Sequence, residues 1–244
     1  MDRPKLPARV NPIEWVGPDH PLIHESGLIH FAHIPPAASL AKPVPLVVMV
    51  HGRQGDESVM WIFKQAIPPG VAVVAPRAPL AAADGFVWFT SQTGPLTPDP
   101  TALAAAQNRL ETFIQGLPYL YPVDPQRLVL IGFSQGAAMV NNYALRHPAA
   151  VLAVASLAGA MVQPINGLSP AGSVAKLPVF IAHGLEDDTI PLRLARRTRD
   201  KYLELGAAVT YGEYPTGHKL TAQAIKDLKT WLATQFKAHD KERR

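Results

Sequence analysis

A serine with a glycine two residues to either side is the first sign of chemistry in this 244-residue chain: Gly132-Phe133-Ser134-Gln135-Gly136. The apolar run Arg127-Leu128-Val129-Leu130-Ile131 precedes it and reads as a buried strand, while residues 137–146 follow it and read as a helix. Strand, G-x-S-x-G, helix is the context of a nucleophile elbow. The turn is so tight that a side chain at either glycine would strike the neighbouring strand or helix. Ser134 is thereby pushed out at the C-terminal edge of a sheet and at a helix N-terminus. There a nucleophilic oxygen and the negative charge it creates are stabilised.

A serine hydroxyl needs a base to take its proton, and the base needs an orienting acid. In an elbow of this kind the chain order is Ser, then Asp or Glu, then His. The histidines after Ser134 are His147, His183, His218 and His239. His147 closes the elbow's own helix and points away. His183 precedes or abuts every suitable acid, and His239 sits in a charged tail. His218 remains, in a loop after the last strand and before the last helix, and is the expected base. Among the acids, Asp200 and Glu204 fall on a solvated helix face, and Glu213 falls inside a strand. The cluster Glu186-Asp187-Asp188 follows a strand directly. Asp187 is the expected acid, although spacing alone does not separate it from Asp188.

An oxyanion would need two backbone N–H donors. One is expected from Gln135, directly after the nucleophile. The other is expected from the loop His51-Gly52-Arg53-Gln54-Gly55-Asp56, through the main chain of Arg53. Gly52 and Gly55 let that backbone come close to a substrate. The Arg53 side chain is either solvated or an attractor for an anionic group.

The elements that must position these residues alternate between strand and helix. Continuous apolar runs at 45–50 and 70–75 read as strands covered on both faces. A further strand is expected at 27–34, and others at 151–156, 177–182 and 207–214. Helices are expected at 57–65, 101–115, 191–205 and 220–236, the last with Ile225, Leu228, Leu232 and Phe236 on one face. This alternation predicts an α/β architecture: a mostly parallel central sheet with helices on both faces and no large lid domain. Ligands of such sheets sit at the carboxyl ends of the strands. Segments 81–100 and 158–176 should rim that edge. They bring Phe86, Trp88, Phe89, Met161 and Ile165, and Trp88, Phe89 and Met161 are the expected substrate-binding side chains. The aromatic ones also suit a plain core.

Composition sets the outer bounds. With 48% hydrophobic and 17% charged residues, the chain suits one large domain over 1–244, with an N-terminal extension at 1–25 and a charged tail at 237–244. It has no cysteine, which excludes disulfides, thiolate metal sites and a cysteine nucleophile. The net charge of +4 gathers toward the chain ends without interleaved aromatics, so no nucleic-acid partner is expected. No signal-peptide core and no run of about 20 apolar residues is visible. A soluble, cytoplasmic protein with no membrane span is expected.

With these pieces placed, the chain resembles the phospholipase/carboxylesterase family of α/β-hydrolases, which includes acyl-protein thioesterases. The matching residues are His51-Gly52 with Gly55-Asp56, Trp88-Phe89, Gly132 to Ala138, His183-Gly184-Leu185-Glu186-Asp187 with Ile190-Pro191, and Gly217-His218. One residue more than the family pattern separates Gly52 from Gly55. The resemblance selects Asp187 as the acid, makes His183 structural and sets Trp88 beside the substrate groove. It implies hydrolysis of carboxyl esters or thioesters, small or acyl-chain, with no cofactor and no metal, often by homodimers. A hydrolase acting on an amide or lactone, or a non-catalytic binding protein of the same fold, would use the same frame.

Other signals carry less. His20, His24, His30 and His33 cluster early, but His30 and His33 point to opposite sides of a strand. Gly167 to Gly172 has P-loop glycine spacing without the following Lys-Ser or Lys-Thr. Ser173 to Lys176 matches S-x-x-K but precedes a strand.

Overall fold

The structure is a computed structural model that describes residues 13–91, 97–162 and 174–242. Ile165, the glycine pair at 167–172 and Ser173 fall outside the described residues, as do residues 1–12 of the N-terminal extension. In chain order the elements begin with β1 (Glu14–Val16), α1 (Ile23–Ser26), β2 (His30–His33) and β3 (Val44–Val50). A 3-10 helix (Val59–Ala66), β4 (Ala72–Pro76), β5 (Leu80–Ala82) and β6 (Gly85–Val87) come next. The second half contains α2 (Pro100–Leu120), β7 (Val123–Phe133), α3 (Gln135–Arg146), β8 (Ala153–Leu157), β9 (Pro178–Gly184), α4 (Leu192–Glu204), β10 (Ala208–Tyr214) and α5 (Ala222–Glu242).

Eight strands form one sheet in the order β1-β2-β4-β3-β7-β8-β9-β10. Pairing is parallel from β4 through β10 and antiparallel where β2 meets β4 and β1. The sheet faces explain the apolar runs. In β3, Leu46, Val48 and Val50 join α2 and α3 in one core. Val47 and Met49 join the 3-10 helix and α5 in the other. Both sets of side chains are therefore buried, and the strand has no polar alternation to show. On α5, Leu228, Leu232 and Phe236 face the sheet as the spacing predicts, with Trp231 and Ala224 widening the stripe.

Four differences from the sequence reading have local causes. Residues 57–65 give a 3-10 helix at Val59–Ala66 rather than an α-helix. Helix α2 runs to Leu120, carried past the expected end by the burial of Leu117 and Leu120 despite Pro118 in its last turn. Its start is fixed by Asp99, whose carboxylate accepts from Ala102 N–H at 2.8 Å, with Pro100 in the first turn. The edge strand β1 carries little pattern in three residues, and segment 81–100 holds a hairpin, β5–β6, that the sequence reading leaves as loop.

The early histidines disperse. His20 contacts the Glu14 carboxylate, whereas His30 is fully buried between Leu28 O and the Tyr121 hydroxyl. Among the described residues no helix is long and apolar enough to cross a membrane.

Candidate active site

Four strands of the parallel sheet deliver their C-terminal ends to one place. Ser134 follows β7, Asp187 follows β9, His218 follows β10, and the loop from His51 follows β3. The elbow geometry is severe. Ser134 has φ 54° and ψ −116°, a conformation that a non-glycine residue holds only under constraint from its surroundings. A Cβ on Gly132 would lie 2.3 Å from Gly136 O, and one on Gly136 would lie 2.0 Å from Val50 O. The two glycines are therefore steric requirements of the turn. Ser134 N–H is tied to Leu157 O at 2.9 Å, which anchors the elbow to β8.

The side chains form a relay. Ser134 Oγ lies 2.8 Å from His218 Nε2, and His218 Nδ1 lies 2.8 Å from Asp187 Oδ2. The carboxylate can only accept, so Nδ1 carries the hydrogen and the Nε2 lone pair faces the serine hydroxyl. Asp187 is itself fixed: its Oδ1 accepts from Thr189 N–H at 3.0 Å and from Ile190 N–H at 2.8 Å. Its side chain is fully buried, whereas Asp188 is exposed. Phe133 packs on the His218 ring at 5.2 Å between centroids.

Other acids and histidines weighed in the sequence are engaged elsewhere where a partner is seen. Glu213 pairs with Arg196 at 2.8 Å, and His147 meets Glu111. His183 donates from Nε2 to Ile190 O at 2.7 Å. Burial pushes its pKa down, so its 3.5 Å approach to Asp187 Oδ2 joins a neutral imidazole to a carboxylate and is no ion pair. His183 buttresses the strap that holds Asp187.

The loop after β3 is a turn closed by Gly55 N–H to Gly52 O at 3.2 Å. The additional residue is absorbed at Gln54, which adopts φ 62°. His51 lies underneath, fully buried. Its Nδ1–H donates to Gly52 O at 2.7 Å, and its Nε2 accepts from Ala78 N–H at 2.9 Å. Desolvation lowers its pKa against the pull of the Gly52 carbonyl, which keeps the ring in this neutral tautomer. The β5–β6 hairpin clamps the loop from outside: Gln54 N–H donates to Phe86 O and Phe86 N–H to Gly55 O, both at 2.9 Å. These bonds commit the Gln54 and Gly55 amides within the loop and to the hairpin, and Gly52 packs against Ser134. Gln135, at the first position of α3, has an amide without an intrahelical acceptor.

Behind the hairpin lies a polar brace that the sequence reading missed. Arg77 bonds Glu57 through two nitrogens, at 2.5 and 2.6 Å, and its guanidinium stacks 4.5 Å from the Phe86 ring centroid. Trp15 of β1 adds its indole N–H to Glu57 at 2.8 Å. Burial alone would raise the Glu57 carboxyl, but the bonds from Arg77 and Trp15 hold it below its usual range.

The cavity above Ser134 has a volume of about 340 Å³. Phe89, Ala138, Ala160, Val162 and Ile190 line it, with Arg53 at its rim. Of the expected substrate-binding side chains, only Phe89 faces this space. Trp88 is fully buried and donates its indole N–H to His51 O at 2.9 Å, so it braces the loop after β3 and does not line the cavity. Met161 lines a neighbouring groove against α4. The Gln135 side chain accepts from Trp88 N–H and donates to Phe89 O, both at 2.9 Å, and so pins the wall of the cavity. Glutamine is uncharged and the two partners lie more than 40 residues away, so no local pattern announces this second role.

The profile described as Phospholipase/Carboxylesterase matches residues 37–236. Acyl-protein thioesterase 1 of Emericella nidulans is 33% identical over 225 residues, covering 80% of this chain and 91% of its own. NocK of Nocardia uniformis subsp. tsuyamanensis is 30% identical over 162 residues, 65% of this chain, which spans only 44% of that longer relative. The Bacillus cereus carboxylesterase superposes with a TM-score of 0.77 at 20% identity, covering 88% of this chain and 97% of its own, a likeness of fold.

Proposed function

The chain belongs to the phospholipase/carboxylesterase family of α/β-hydrolases, and from that premise we propose that it hydrolyses carboxyl esters or thioesters through an acyl-enzyme on Ser134. The observation that carries the reading is the unbroken Ser134–His218–Asp187 relay, with both contacts at 2.8 Å, opening into a cavity. A protein that only binds has no use for a buried acid aligned behind an imidazole.

In the proposed mechanism His218 Nε2 takes the Ser134 proton as Oγ bonds to the acyl carbon. The carbonyl electron pair moves onto oxygen, and that oxyanion is held by the N–H groups of Gln135 and Arg53. Losing one such donor typically costs about 3–4 kcal/mol of transition-state stabilisation. Collapse breaks the bond to the alcohol or thiol, which leaves with the proton from His218. Water then repeats the sequence on the acyl-enzyme, releasing the acid and free Ser134. Asp187 stays ionised and stabilises the imidazolium in each half.

The test is hydrolysis of p-nitrophenyl esters of increasing chain length by the wild type and by Ser134→Ala. A loss on the order of 10⁶ in kcat is expected for the variant. Equal, weak rates in both, together with no labelling of the wild type by a fluorophosphonate probe, would leave the binding-protein reading in its place.

A further inference from the structure

We infer that Arg53 is a carboxylate-recognising residue, and that the preferred substrates are short esters bearing a negative charge a few atoms from the scissile carbonyl. The inference rests on the proposed esterase reading and narrows its substrate class.

Four observations converge. First, Arg53 lines the same cavity as Ser134 and His218, and no aspartate or glutamate is among the described residues that line it. Of the acids close in sequence to its lining, Asp187 is fully buried and spent on His218, Thr189 and Ile190, and Asp56 is turned to Ser58. Second, Arg53 makes no ion pair with any described residue. Arg77, Arg146, Arg196 and Arg199 each have an acidic partner within 4 Å. A guanidinium at this cavity, with no described acid paired to it, is a ready partner for a planar carboxylate, which it can bind through two parallel N–H donors.

Third, the backbone that carries it is fixed. The turn bond from Gly55 to Gly52 and the two hairpin bonds to Phe86 hold residues 52–55, and Gln54 takes the left-handed conformation that the longer loop demands. The additional residue thus changes what the loop presents. Fourth, the reach is limited. If the Arg53 amide holds the oxyanion, its guanidinium lies no farther from that oxygen than one arginine side chain. The anion and the ester must then be joined by only a few carbons. The cavity of about 340 Å³ suits this, being at the lower end of the ~300–1,000 Å³ of small-molecule sites.

The experiment compares a matched pair of substrates, monomethyl glutarate and methyl hexanoate, by pH-stat with the wild type, Arg53→Gln and Arg53→Glu. Every variant keeps the backbone amide, so the readout is the ratio of kcat/KM for the charged ester to that for the neutral one. The wild type is expected to favour the glutarate. Arg53→Gln should lower the ratio about 10- to 100-fold, the range for a hydrogen bond to a charged group, and Arg53→Glu should lower it further. Added salt should reduce the ratio in the wild type and leave it flat in Arg53→Gln. A ratio that Arg53→Gln and salt leave unmoved, with methyl hexanoate still cleaved, overturns the inference and leaves the esterase reading standing. Failure of the wild type to cleave either ester or to react with a fluorophosphonate overturns both.

Discussion

Asp187 and Asp188 are neighbours in sequence and opposites in environment. The first is buried and accepts three hydrogen bonds, while the second is exposed. Asp187→Asn keeps the shape but offers N–H where His218 needs an acceptor, so the imidazole must present the wrong tautomer. A loss of about 10⁴ in kcat is expected. Asp188→Asn should change stability by no more than about 0.5 kcal/mol, as for other surface positions, with no comparable kinetic loss. Steady-state rates and thermal melts of the two variants check this. At this scale much was legible in sequence: the G-x-S-x-G context and chain order singled out Ser134 and His218, and the family resemblance separated the two aspartates. The orientation of Trp88 was not legible, because a motif reports which residues are near a site, not which way a side chain turns: its buried indole N–H bonds His51 O.

Among the elements, the β5–β6 hairpin stands out as a device with a cost. Gly85 has φ 146°, and a Cβ there would lie 2.3 Å from Gln54 O. Gly85→Ala should therefore push the hairpin off the loop after β3. We expect about 1–3 kcal/mol lost from stability through backbone strain and, if that loop holds the proposed oxyanion donor, a drop in kcat of up to ~10²-fold. Urea unfolding and p-nitrophenyl ester kinetics measure the two separately. The same hairpin marks where sequence reading thinned out. The central strands announce themselves because two cores force continuous apolar runs. The hairpin strands are three residues each, half exposed, and gain their order from backbone bonds to a loop some 30 residues earlier. Likewise β1 is held by its pairing with β2 and by the Trp15–Glu57 bond, neither of which its own three residues encode.

For the molecule as a whole, buried histidines set a lower limit in pH. Burial lowers the His30 pKa to about 4, against 6.5 for the free group, while its Nδ1–H donates to Leu28 O and its Nε2 accepts from Tyr121. The unfolded chain binds the proton more readily, so stability rises with pH between these values and is complete above 6.5. It is lost as pH falls from 6.5 toward 4, by about 3 kcal/mol from this group. His51 and His183, both shifted downward by desolvation, act with the same sign. Chemical unfolding at pH 7 and at pH 4.5 should show a smaller difference for His30→Gln than for the wild type. Strand order has a different consequence, one of timing. Ser134 and His218 are 84 residues apart, just past β7 and beyond β10, which closes the far edge of the sheet. A ribosome adding ~5–20 residues per second needs roughly 4–17 s to make that stretch. Under the proposed mechanism, the emerging polypeptide exposes its serine well before the base that would deprotonate it exists, and stays chemically silent toward the esters around it until residue 218 has been made and folded.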